Sequence, residues 1–212
     1  MTPKLALSQI SSPKEDPKNI VAMLESVLPF VQGVFVTFTY NEDKSEVPGT
    51  LVSAYQDTCD KFGIPFFPSY GNFSKTVTQK ELTAFKKQYG WDTELKVGDR
   101  IFIFCDARNY NLDQIDQKEY PYFFWCDTDD TVQGAENFQL LVDKMVKTGV
   151  KSVFFNYHYW CEFDGHGRVT NVKIEHLRER LVSNDGSHRW VGPLHETLIA
   201  QRQAALADDP AC

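Results

Sequence analysis

The sequence predicts an α/β fold, with a mostly parallel sheet flanked by helices and a small antiparallel part in the C-terminal half. Three observations carry this expectation. Short apolar runs alternate with segments of helical period through the first third of the chain. A strongly apolar run, Tyr122-Phe123-Phe124-Trp125-Cys126, stops abruptly at the carboxylates Asp127, Asp129 and Asp130. Beyond it, aromatic and alternating runs are separated by turn residues such as Asp164-Gly165-His166-Gly167, the signature of a hairpin.

In chain order, residues 4–10 read as a strand and 11–16 as a loop. Asp16 then stands as N-cap with Pro17 at the first helical position, and Ile20, Leu24, Val27 and Val31 repeat at helical spacing up to Gly33. Residues 34–39 follow as a second strand, so the opening is a β-α-β unit. A polar loop leads to a helix over 50–62 stopped by Gly63, then a third strand over 64–67. The rhythm is Rossmann-like, but no Gly-x-Gly-x-x-Gly follows the first strand, which argues against that type of dinucleotide cradle.

Residues 68–99 read as an inserted segment with one helix over 78–89. A short apolar stretch at 100–104 precedes a helix over 106–117 that carries Arg108 and Asn109 in its first turns. After the acidic strand, Phe138, Leu141, Val142 and Met145 mark a helix ending near Gly149. The aromatic strand at 150–160 is expected in the core, because buried strands favour such side chains. Strand-like alternation returns at 168–174 and near Leu181-Val182, while the charged run 175–180 reads as an exposed face. The expected organisation is one domain over 1–203 and a tail over 204–212.

The net charge of −7 argues against a general nucleic-acid binder. Cys59, Cys105, Cys126, Cys161 and Cys212 are scattered and form no CxxC pair, so neither a disulfide framework nor a zinc cluster is indicated. No apolar run reaches the roughly 20 residues that span a bilayer. The expectation is a cytoplasmic protein, with a peripheral membrane location if its acceptor is lipid-linked.

Open α/β sheets bind ligands at the carboxyl ends of their strands, where the loops diverge. Asp127 and Asp129 would fall on one side if their strand continued, and paired hard oxygen donors suit Mn²⁺ or Mg²⁺ shared with substrate phosphates. The competing reading is an acidic turn in which Asp129 or Asp130 caps the next helix.

Taken together, several ordered blocks resemble the family-two glycosyltransferases, inverting nucleotide-sugar enzymes of the GT-A fold. Leu5-Ala6-Leu7-Ser8-Gln9-Ile10 and the helix after it look like the family's first strand and helix, and Gly33-Val34-Phe35-Val36-Thr37 like its second strand. Cys105-Asp106-Ala107-Arg108-Asn109 is similar to the family's Ala-Arg-Asn helix start, and Trp125-Cys126-Asp127-Thr128-Asp129-Asp130 to its DxD strand. Arg180-Leu181, Arg189-Trp190 and Gly192-Pro193-Leu194-His195-Glu196 resemble its C-terminal block.

The resemblance implies a GT-A-like domain that moves a sugar from a nucleoside diphosphate donor, expected to be a UDP-sugar, to a hydroxyl of a glycan, lipid-linked or protein acceptor. Asp127 and Arg108 would contact the donor, and Asp129 and His195 the metal. An inverting transfer needs a base for the acceptor hydroxyl, for which Glu196 leads and Asp130 comes next, with Glu162 and Asp164 behind. One departure stands out. Where the family has an acid at the end of the second strand, this chain has Phe38-Thr39-Tyr40-Asn41-Glu42-Asp43. Only Asp43 keeps its place, and Phe38 or Tyr40 would stack on the base. Trp160 and Trp190 are the candidate acceptor-binding aromatics. Two other readings stay open: a non-catalytic nucleotide-sugar or carbohydrate binding module, and a metal-dependent nucleotidyltransferase, which would be expected to carry a Gly-rich phosphate loop near the N-terminus.

Overall fold

The first strand, β1 (Leu5–Ser11), is covered on both faces, as its near-continuous apolar run requires. A computed structural model describes residues 2–89, 94–165, 169–192 and 196–200. Helix α1 (Pro17–Val27) starts as its sequence dictates: Pro17 opens it and the Asp16 carboxylate accepts from the Lys18 amide at 2.9 Å. It ends earlier than the periodicity implies. Pro29 has no N–H to continue the helix, so a 3-10 turn over Leu28–Phe30 follows, and Gly33 opens the next strand instead of terminating the helix.

Strand β2 (Gly33–Tyr40) pairs parallel with β1, and α2 (Gly49–Phe62) stops at Gly63, whose φ of 66° is the left-handed cap. Strand β3 (Phe66–Asn72) runs five residues beyond its expected end, because it pairs with β2 from Val34↔Phe66 to Tyr40↔Asn72. The inserted segment therefore starts later than residue 68. It forms a small antiparallel pair, β4 (Ser74–Thr76) with β5 (Arg100–Phe102), and a helix, α3 (Gln79–Tyr89), gathered around Val77, Ile101 and Ile103.

Helix α4 (Phe104–Asp113) leads to the acidic strand β6 (Tyr122–Trp125), and α5 (Phe138–Thr148) follows with Asn137 at its N-cap. Neither Asp129 nor Asp130 caps that helix. The aromatic strand β7 (Ser152–Phe163) and β8 (Val169–Ser183) form a long antiparallel hairpin, and β9 (His188–Val191) pairs with β10 (Thr197–Ala200).

The main sheet has the order β3-β2-β1-β6-β8-β7, parallel from β3 to β6 and antiparallel beyond. Side chains alternate across it. Leu5, Leu7, Val34, Val36, Phe38 and Phe124 face a core shared with α1, α2 and α5, whereas Ala6, Phe35, Phe123 and Trp125 face α4 and the β9–β10 pair. Helices thus cover both faces, and β1 and β6 meet where the strand order reverses.

The hairpin corrects one expectation. Only Tyr122 to Phe124 of β6 pair with β8, at Leu181 to Ser183, so most of the ribbon runs past the sheet edge with no layer over it. Tyr159, Trp160 and Phe163 are exposed as a result, instead of lying in the core. Conversely, Glu179 and Arg180 are buried where β8 is about to enter the sheet at Leu181, so the run 175–180 is not wholly a solvated face. Among the described residues, no helix is long and apolar enough to cross a membrane.

Gly33 marks a close approach of β2 to the buried Tyr120, since a Cβ there would lie 2.7 Å from the Tyr120 hydroxyl and 2.8 Å from its ring. Gly33→Ala is expected to lower stability by about 1–3 kcal/mol, read as a fall in the urea midpoint. Gly49→Ala, at an open helix start with nothing within 4 Å, should be neutral or stabilising by up to ~1 kcal/mol.

Candidate active site

The site lies at the carboxyl ends of β1 and β6, the position that strand reversal leaves open for ligands. Arg108, on the first turns of α4, is its centre and is only 7% exposed. Its Nε donates to Glu196 Oε1 at 2.7 Å and its Nη2 donates to Asp127 Oδ1 at 2.7 Å. The guanidinium carbon sits 4.8 Å from the Trp125 ring and 4.9 Å from the Trp190 ring, which meet edge to face at 4.5 Å. Burial disfavours the charge on Arg108, but Asp127 and Glu196 outweigh it and raise its pKa further.

A second arginine stands behind Asp127. Arg180 stacks on Trp125 at 3.9 Å and on Tyr157 at 4.6 Å, with its Nη2 3.3 Å from Asp130 Oδ2 and 3.8 Å from Asp127 Oδ2. The acidic loop folds back on itself: the Asp130 carboxylate accepts from the Asp127 amide at 3.0 Å, and the Asp130 amide donates to the Asp127 carbonyl at 3.2 Å. The two acids consequently differ. Burial pushes Asp127 up, yet Arg108 and Arg180 together overcome it and hold the carboxyl below the ordinary range. Burial also pushes Asp130 up, and there the opposing Arg180 is outweighed, with Asp127 and Asp129 adding to the rise.

Two cavities flank this wall. The first, about 460 Å³, lies between the ends of β1 and β2 and the acidic loop, and includes Lys14, Glu15, Tyr40, Asn41, Glu46 and Asp129 in its lining. The second, about 360 Å³, is bounded by Trp125, Tyr157, Tyr159, Arg178, Arg180 and Glu196. Phe104, Arg108 and Asp127 belong to both.

The expected residues separate accordingly. Asp127, Arg108, Glu196 and Asp129 converge, and Asp129 is exposed on the first cavity. Asp130 lines neither cavity and positions the other groups. Phe38 is completely buried against Tyr55, Phe66 and Tyr70, so it offers no face to a base; Tyr40 does line the first cavity. Asp43 also departs from its expected role, because its carboxylate accepts from the Ser45 amide at 2.8 Å, caps a 3-10 turn and lines neither cavity. Trp190 is 4% exposed behind Arg108 and lines neither cavity, so it offers no face to an acceptor, and Trp160 lies out on the hairpin. His195 lies outside the described residues.

Several roles escaped the sequence reading. Asn109, named there only as part of a matched block, clamps the Trp190 backbone, donating to its carbonyl at 2.9 Å and accepting from its amide at 3.0 Å. Lys14, Arg178, Tyr157 and Tyr159 carry no local motif. Arg180 stood in a matched block, where its position just before Leu181-Val182 was the available signal.

For a metal, Asp129 is the suitable carboxylate, since no hydrogen bond or ion pair occupies it among the described residues. No group of three or more His, Cys, Asp or Glu that could hold an ion is present among those residues. A single carboxylate still fits Mg²⁺ or Mn²⁺ when substrate phosphates complete the shell.

No protein-family model matches the sequence, and no curated protein matches it. Among solved structures, the chain is similar to 4-diphosphocytidyl-2C-methyl-D-erythritol synthase from Anaerococcus prevotii, at 11% identity and a TM-score of 0.43, over 87% of this chain and 73% of that one. It is also similar to S. aureus TarS 1–349, at 15% identity and a TM-score of 0.38, over 71% of this chain and 34% of that one. The chain thus spans about a third of that TarS segment.

Arg108→Ala is expected to cost on the order of 2–3 kcal/mol, below the roughly 3–5 kcal/mol for breaking a fully buried pair, because Asp127 is partly solvated. Asp127→Asn should show a deficit that depends on pH. A depressed carboxylate stabilises the fold above its unfolded pKa of about 4 and loses that contribution as pH falls through the folded value. The difference in urea midpoint from the wild type should therefore shrink below about pH 4.

Proposed function

We propose that the protein is a metal-dependent inverting glycosyltransferase that uses a nucleoside diphosphate sugar, with UDP as the expected nucleotide. The observation that supports this most is the pair of cavities meeting at Arg108 and Asp127, at the end of the acidic strand. A transfer between two substrates needs two adjoining chambers with the reacting bond at their junction.

In this reading the nucleotide occupies the first cavity, with the Tyr40 ring and Asn41 near the base and Lys14 near the phosphates. Asp129 would hold the divalent cation, which supplies positive charge for the departing diphosphate. His195 is the further proposed contact on that side. Arg108 adds a fixed positive charge at the junction and keeps Asp127 ionised and oriented.

The acceptor occupies the second cavity, where Glu196 is the proposed base. Its carboxylate takes the proton of the acceptor hydroxyl as that oxygen bonds to the anomeric carbon. The bond from carbon to the diphosphate oxygen breaks on the opposite side, the nucleoside diphosphate leaves with the electron pair, and the configuration inverts. Asp130 supports this chemistry by holding the Asp127 amide and Arg180 in place.

The test is a thermal titration with UDP and GDP, each with and without Mn²⁺. Ligand that binds only the native state raises stability in proportion to ln(1 + [L]/Kd), about 2.7 kcal/mol at a hundredfold excess over Kd. A rise with UDP that requires Mn²⁺, and that is lost in Asp129→Ala, is the expected outcome. No rise with either nucleotide would overturn the reading. A rise without release of nucleoside diphosphate from any sugar donor would assign a binding module instead.

A further inference from the structure

The two cavities differ in charge. Lys14 and Arg108 face Glu15, Glu46, Asp127 and Asp129 around the first, so acids outnumber bases there. Around the second the balance reverses, with Arg108, Arg178 and Arg180 against Asp127 and Glu196. A cationic wall is unexpected by chance in a chain whose net charge is −7.

The arginines are also unequally satisfied. Arg108 has its charge matched by two hydrogen-bonded carboxylates. Arg180 is 4% exposed and shares Asp130 and Asp127 through Nη2, but its Nη1 is buried without a hydrogen-bond partner among the described residues. A guanidinium nitrogen left unpaired in a dry wall costs free energy, so the carboxylates around Arg180 do not use all of its donors. Arg178 points the same way. Its Nε donates to the His176 ring at 3.2 Å, and no carboxylate among the described residues forms an ion pair with it.

Arg178 and Arg180 stand two residues apart on β8, beside a break in its register with β7, and both line the second cavity. Tyr157 and Tyr159, on the paired strand β7, bring two hydroxyls and their rings to the same cavity. Such a set matches an oxyanion attached to a ring: forked guanidinium donors for the oxygens and aromatic faces for the carbon skeleton.

We propose that the second cavity is a subsite for an anionic group on the acceptor, a phosphate or a carboxylate, held by Arg178 and Arg180 beside Tyr157 and Tyr159. Its assignment to the acceptor rests on the transferase reading above; its affinity for an anion does not.

The experiment titrates the wild type, Arg178→Gln and Lys14→Gln with inorganic phosphate and with acetate at constant ionic strength, following thermal stability. It is repeated with UDP and Mn²⁺ at saturation. Saturable stabilisation of the wild type by at least one anion is expected, weakened about tenfold or more in Arg178→Gln, as the loss of a charge-assisted hydrogen bond predicts. The anion that acts tells phosphate from carboxylate. Lys14→Gln should keep the anion response, and UDP with Mn²⁺ should leave it intact. An unchanged response in Arg178→Gln, a response lost in Lys14→Gln, competition with UDP, or no saturable response at all would each overturn the proposal. Arg178→Gln should retain the UDP and Mn²⁺ response, which shows that the variant is folded. If UDP never stabilises the protein while the Arg178-dependent anion response persists, the transferase reading fails and the anion subsite stands.

Discussion

The structure depends on one buried cation. Arg108 lies buried against a pair of touching indole rings, where an unpaired guanidinium would cost several kcal/mol, so the fold must deliver carboxylates to it. It does so from two places far apart in sequence: Asp127, just past β6, and Glu196, just before β10. The acidic loop and the C-terminal strand pair are therefore coupled through a single side chain. Lysine could not replace it, because an ammonium cannot present the planar fork that reaches both acids while stacking on indoles. The aromatic contacts add about 0.5–2 kcal/mol by cation–π attraction, and the Asn109 clamp on the Trp190 backbone keeps one ring in place.

What aims Arg108 is a buried polar strip under α4. Ser8 donates to Asn111 at 2.6 Å, Asn111 donates to Thr37 at 3.0 Å, and Thr37 is 2.8 Å from Ser69. Each such bond adds only about 1 kcal/mol net, but leaving a buried partner unsatisfied costs about 1–3 kcal/mol, so the helix has one permitted rotation. Asn111 lies three residues after Arg108 and thus on the same face. Fixing one fixes the other. The strip joins β1, β2 and β3 to the helix that carries the central charge, which is how packing becomes site geometry.

This division explains which parts could be read from the sequence. Asp16 with Pro17, Gly63, the apolar runs of β1 and β2, and the halt of β6 at its acids act through local rules, and each appears where those rules place it. Phe38 and Trp190 could not be placed that way. Whether a strand aromatic faces a ligand or a core depends on its neighbours; three other aromatic side chains surround Phe38, and Arg108 covers Trp190. Arg180 failed in the opposite direction. A charged residue in a charged run looks solvated until the strand is known to enter the sheet at the next residue, Leu181. The hairpin aromatics were misjudged because strand propensity does not say whether a second layer exists.

The three acids after β6 show how far environment exceeds spacing. Asp127 lies between two arginines and is held ionised; Asp130 turns back on the Asp127 amide, where burial favours its neutral form; Asp129 is left to solvent and to the first cavity. One short motif thus yields an anchored charge, a positioning group and a free carboxylate. The anchored charge also makes the wall between the cavities electrically complete, since Asp127 and Glu196 meet Arg108 within it. Neither cavity needs a ligand to neutralise that wall. What each then attracts is set by its remaining residues, acids around the first and arginines around the second, so the same salt bridge that joins the two chambers also keeps their preferences apart.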